Sequence, residues 1–103
     1  MLDKEKVIEI VNEIDSLFME DTRFPKYWGQ LTQVLSENEQ ETIDFLDSCN
    51  EKNIIDNISS VFADISTNFQ SQKFIKCLER LEIKFPDLLL NPMIEVAKDV
   101  LID

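Results

Sequence analysis

Histidine is absent from this chain of 103 residues, glycine occurs once, and there are only three prolines and two cysteines. Each shortage excludes something. Histidine is the usual general base near neutral pH, a common metal ligand, and the customary partner of a nucleophilic Ser or Cys. Without it most familiar active sites cannot be assembled, and the chain is read as a non-enzyme with no cofactor and no metal ion. Catalysis by carboxylates alone would need a cleft holding two acids at a controlled separation, which small helical domains rarely provide. With Gly29 as the sole glycine, tight hairpin turns, phosphate-cradling loops and flexible linkers have almost no raw material, so an all-β fold is excluded. Cys49 and Cys77 lie far apart, each beside apolar neighbours at helical spacing, and read as small buried thiols in a reducing compartment. They lack zinc-site spacing, and Glu37, Glu39 and Glu41 lack the glycine of a calcium-binding loop. No stretch approaches the roughly 18 consecutive apolar residues of a membrane span. The opening residues Met1-Leu2-Asp3-Lys4-Glu5-Lys6 do not resemble a signal peptide, so a cytoplasmic protein with no membrane partner is expected.

What is present is an acidic chain with a core. Twenty-one Asp and Glu stand against ten Lys and Arg, a formal net charge of -11, which repels phosphate backbones and makes direct nucleic-acid binding an unsuitable role. Acidic disordered chains lack large apolar residues, whereas 44% of these residues are hydrophobic, among them Trp28, Tyr27 and seven Phe. Length and composition together fit one helical domain over 1-103.

The apolar spacing predicts an all-α fold of about six short amphipathic helices. Val7, Ile10, Val11, Ile14, Leu17 and Phe18 recur at helical steps and predict a first helix from Asp3 to Met19. Pro25 suits the first turn of a second, which continues through Tyr27, Trp28, Leu31 and Val34 to end near Leu35. One of Tyr27 and Trp28 is expected in the core, although both are also favoured interface anchors. Ser36-Glu37-Asn38-Glu39 has the pattern of a capping box for a third helix that turns Ile43, Leu46 and Cys49 inward, with Phe45 at its flank. Asn53 is expected to cap a fourth helix, with Ile54, Ile55, Ile58, Val61, Phe62 and Ile65 as one stripe that the polar stretch from Ser66 to Gln72 interrupts. Ser71 caps a fifth, which must fade before Pro86, and Asn91-Pro92 opens the last. A compact bundle and a short stack of helical hairpins, third helix with fourth and fifth with sixth, both accommodate this order.

The charge is unevenly placed. Residues 1 to 72 hold fifteen carboxylates and five basic side chains; residues 73 to 103 hold six and five. No Lys or Arg occurs between Lys26 and Lys52. Glu37, Glu41, Asp44 and either Asp47 or Glu51 fall at steps of three, four or seven and are expected on one side of the third helix, with Asp56 and Asp64 as a sparser stripe on the fourth. Like charges one turn apart cost a helix a few tenths of a kcal/mol per pair, at about 0.2–0.5, so stability alone does not favour the pattern. A solvated face of an acidic protein accounts for it as well as a binding site does. Glu5, Glu9 and Glu13 form a second ladder on the first helix.

The segment Leu35-Ser36-Glu37-Asn38-Glu39-Gln40-Glu41-Thr42-Ile43-Asp44-Phe45-Leu46, with Ile58-Ser59-Ser60-Val61-Phe62-Ala63-Asp64-Ile65-Ser66, resembles the acidic helical core of bacterial toxin immunity proteins, those of contact-dependent growth inhibition and of nuclease colicins. The resemblance covers under half the chain. It implies a stoichiometric inhibitor of a cognate toxin, commonly a basic nuclease domain, with Glu37, Glu41, Asp44, Asp47, Glu51, Asp56 and Asp64 as the partner-binding set. The competing expectation is a helical adaptor that receives a peptide or helix in an apolar groove.

Overall fold

The computed structural model describes residues 2–18 and 20–102. Among these are seven α-helices and one 3-10 turn, with no strand. The first, α1 (Lys4–Asp15), is capped by Asp3, whose carboxylate accepts from the Lys6 amide at 3.0 Å. Its apolar stripe of Val7, Ile10, Val11 and Ile14 is buried. The helix stops short of the predicted end because its last turn tightens: the amides of Ser16 and Leu17 reach carbonyls three residues back. Phe18 therefore lies exposed rather than in the core, and Met19 falls outside the described residues.

A proline in its first turn opens α2 (Phe24–Leu35). The following α3 (Glu39–Ser48) corrects the predicted capping box: the cap is Asn38, whose side chain accepts from the Glu41 amide at 3.0 Å. Ser36 instead closes α2, its amide bonded to the Gln33 carbonyl. Glu39 accepts from the Ser71 hydroxyl at 3.0 Å rather than reaching back to a cap.

The stripe predicted as one fourth helix is two, α4 (Lys52–Ser59) and α5 (Phe62–Phe69). At Ser60 and Val61 the amides again bond three residues back, to Asn57 and Ile58. This overwound turn keeps both Val61 and Phe62 buried while changing the helix direction. The polar stretch from Ser66 does not end the helix at once, because Ser66 is itself buried and bonded to α7, and α5 runs on to Phe69. Asn53 is not the cap of α4; Glu51 occupies that place without a side-chain bond, and Asn53 donates to Asp15 at 2.6 Å.

After Gln70, in the left-handed region at φ 48°, Ser71 caps α6 (Gln72–Lys84) as its sequence suggests. A 3-10 turn over Pro86–Leu88 and Leu89 at φ 52° lead into α7 (Asn91–Asp99).

The packing decides between the two predicted architectures. The helix α3 lies principally against α6, α1 against α2 and α4, and α5 against α7, α2 and α6. Of the two hairpins expected from sequence order, the one formed by α6 and α7 is present, whereas α3 skips its successors. The arrangement is an irregular bundle. Its radius of gyration, 12.8 Å, is that of one closed body of about 100 residues. Phe62, Phe74, Leu31, Leu46, Ile55 and Leu78 are fully enclosed at its centre.

Three buried hydroxyls fasten elements to one another or complete their own turns. Thr42 Oγ1 donates to the Leu35 carbonyl at 2.6 Å and Ser66 Oγ to the Ala97 carbonyl at 2.7 Å. The third, Ser59, donates within α4 to Asp56. No described helix is long and apolar enough to cross a membrane.

Candidate partner-binding surface

Helix α3 carries the densest carboxylates, but its two ends differ. At the C-terminal end Asp47 is engaged by α6: Arg80 Nε and Nη2 donate to its two oxygens at 3.1 and 2.9 Å. Lys84 Nζ donates to the Asp47 and Cys49 carbonyls at 3.2 and 2.7 Å, covering the negative end of the helix. The charge of Asp47, which no basic residue on its own helix answers, is thus met by basic residues more than thirty positions away. Beneath the pair, the buried Cys77 thiol is pushed up to about 12, first by burial and then by the Asp47 charge. Asp47 has a cation of this protein opposite it in an ion pair, at 2.9 Å.

Toward the N-terminal end Glu37 and Asp44 face solvent, whereas Glu39, bonded to Ser71, and Glu41 are half-buried. Two of the predicted residues lie outside α3 at opposite ends, Glu37 before its cap and Glu51 beyond its C-terminus at the start of α4, so the expected single ladder is shorter than drawn. The Glu37, Glu51 and Asp56 side chains are exposed, with no hydrogen bond or ion pair to another described residue. Asp44 accepts from Gln40 Nε2 at 2.9 Å, a neutral donor that leaves its charge uncompensated. Asp64 stands apart, in the first turn of α5.

Neither α1 nor α3 is packed closely on the other, and between them a cleft of about 710 Å³ opens. Asp3, Glu5, Glu41 and Asp44 line it, with Leu2 and Phe45 as apolar wall and Lys4 as the one basic side chain among the described residues. The two acidic ladders seen in the sequence meet here, through Glu5 from one and Glu41 and Asp44 from the other. Nothing in either ladder signals that meeting, because it depends on how α1 and α3 are each held by third helices. Phe45, expected at the flank of α3, is buried except where it borders this cleft.

A second cleft, of about 460 Å³, separates α2 from α5. Pro25, Trp28, Gly29 and Thr32 form one side and Asp64, Thr67 and Asn68 the other. Both Tyr27 and Trp28 are half-buried, so neither is the enclosed core residue that sequence suggested. Phe24 supports the indole, their ring centres 5.5 Å apart. A third, apolar groove of about 230 Å³ runs along Ser59, Ala63, Met93 and Val96. No group of three or more Cys, Asp or Glu among the described residues is placed to hold a metal ion.

Comparison with protein-family models, with curated proteins and with solved structures found no match.

Proposed function

We propose that this protein is an immunity-type inhibitor that neutralises a cognate toxin, a basic nuclease domain, by forming a stoichiometric complex with it. The observation that carries the reading is the acidic cleft between α1 and the N-terminal half of α3, where four carboxylates surround an apolar wall. A nuclease must hold phosphates, so its working groove is lined with Lys and Arg; a carboxylate surface can occupy the same groove. Opposite fields also raise association rates by factors of about 10 to 10³ over unsteered encounter, a gain that falls with salt. Rapid capture is what protection from an enzyme demands.

Glu37, Glu41 and Asp44 are the residues assigned to the contact, with Asp3 and Glu5 added across the cleft; Glu51 and Asp56, beyond the other end of α3, extend the acidic surface as outlying charges. Asp47 contributes less, because Arg80 already answers its charge. The neutral residues Leu2 and Phe45 supply apolar area at the centre of the patch, where charge alone gives little net affinity.

The test is to co-express the protein with a basic nuclease domain encoded beside its gene, then to measure affinity against salt for the purified pair. Protection of the host and a one-to-one complex that weakens with salt are expected. Replacing Glu37, Asp44 and Glu51 with Lys should lower affinity and flatten or invert its salt slope. If neither changes, the acidic surface is not the contact. Affinity that instead falls on enlarging Ala63 or Val96 would favour an adaptor working through the apolar groove.

A further inference from the structure

Gly29 sits in the middle of α2 without any backbone reason to be there. No glycine in the structure has positive φ, and a Cβ built at this position would meet nothing within 4 Å. Neither conformation nor crowding within the protein requires glycine, while a mid-helix glycine costs about 0.5–1 kcal/mol relative to alanine. What its missing side chain does is leave open space beside the Trp28 indole, on the wall of the cleft between α2 and α5.

The polar groups around that space are mostly acceptors. Thr32 and Thr67 spend their hydroxyl protons on the carbonyls of Trp28 and Ala63, at 2.8 and 2.9 Å. Asn68 Nδ2 donates to Ser36 Oγ at 2.9 Å. Left over are hydroxyl lone pairs, the Asn68 carbonyl oxygen, and the Asp64 carboxylate, which has no hydrogen bond or ion pair among the described residues. The indole N–H also has no described protein partner, but the indole's larger offering is its face, steadied by Phe24.

We infer that the cleft between α2 and α5 receives an arginine side chain, its guanidinium lying along the Trp28 indole beside Gly29 and donating to Asp64 and Asn68. A guanidinium is planar, donor-only and permanently charged, so it matches an aromatic wall with acceptors at its edge. An ammonium presents a compact point charge with no plane to stack. A carboxylate or phosphate would meet Asp64 at close range with no cation to balance it. In the complex proposed above the arginine would belong to the toxin; the chemistry of the cleft rests on that reading only for this source.

Trp28 is the only tryptophan, so its fluorescence reports the cleft directly. Titration with acetyl-arginine-amide should give a saturable change, weaker with acetyl-lysine-amide and absent with acetyl-citrulline-amide, which keeps the shape but not the charge. Asp64→Asn should weaken the arginine response about fivefold or more, as expected for loss of a charge-assisted hydrogen bond. Gly29→Leu should abolish it while the protein melts no lower than wild type, because the new side chain fills the cleft and improves helix propensity. An equal response to citrulline, or full arginine binding in either variant, would overturn the assignment. Because the probes are small and no toxin is present, such a failure would leave the acidic cleft untouched.

Discussion

At the C-terminal end of α3, Asp47 is held by two nitrogens of Arg80, and Lys84 covers the carbonyls behind it. Less than one turn back, Asp44 has only the Gln40 amide, and Glu37, ten residues back, has no partner among the described residues. Both ends are acidic in sequence, and both lie in the stretch without Lys or Arg between Lys26 and Lys52. What separates them is what the neighbour presents: α6 runs alongside α3 from Ser71 at Glu39 to Lys84 at Cys49, but its cations Arg80 and Lys84 stand only at the C-terminal end, whereas the N-terminal end also borders the gap left by α1. Availability of a carboxylate is therefore set by the helix that packs across it, and spacing within its own helix is a secondary matter.

The comparison can be broken most severely at Thr42, whose buried hydroxyl ties the start of α3 to the end of α2. Thr42→Val should cost about 1–3 kcal/mol, since the Leu35 carbonyl would be left buried without this donor; the denaturant midpoint measures it. Reversing Glu37 and Asp44 to Lys should leave stability nearly unchanged, yet slow association with a basic partner about tenfold at low salt, an effect that shrinks as salt rises. Stopped-flow mixing at two salt concentrations reads this. Asp47→Asn should do the opposite, costing up to about 1 kcal/mol of stability, as exposed ion pairs do, with little change in association rate.

A smaller effect should separate the two cysteines. In the folded protein a disulfide-exchange reagent at pH 8 should label the half-buried Cys49 and spare Cys77, whose thiol keeps its proton to about pH 12; denaturant should release the second thiol. The smallest concerns Asp21, which the Arg23 guanidinium holds down to about 2. Its lowered value means that its contribution is complete above its unfolded value, about 3.9, and is lost as pH falls through about 2. Asp21→Asn should slightly flatten the acid limb of stability in that window, and carboxyl NMR titration should place the native midpoint at its lower edge.

The helical class was legible because the apolar residues keep a 3.6-residue period, and the ends of α6 and the start of α7 because Ser71, Pro86 and Pro92 act through their own backbones. Boundaries that depend on competition were misread. Ser36 has the chemistry of a cap but closes the helix before it, leaving the role to Asn38. The stripe from Ile54 to Ile65 is continuous in sequence although the chain turns at Ser60, because burial continues on both sides of the turn. The acids of the candidate surface were visible as residue types; their sorting into engaged and open was not, since Arg80 and Lys84 lie on a helix that sequence spacing does not connect to α3. The cleft beside Trp28 left one trace, an isolated glycine inside a helical pattern, whose meaning appears only with α5 opposite it.

The pairing of α1 with α4, α3 with α6 and α5 with α7 has a consequence for how the protein assembles. Each of these contacts closes a loop around intervening helices, so no consecutive pair holds the core by itself, and α4 and α5, at eight residues each, are too short to persist alone. Such topology favours a cooperative transition over stepwise zipping. When α7 detaches from α5, the Ser66–Ala97 bond and the cover over that part of the interior are lost together. Amide exchange in α5 should therefore track opening of α7, a helix more than twenty residues further along the chain.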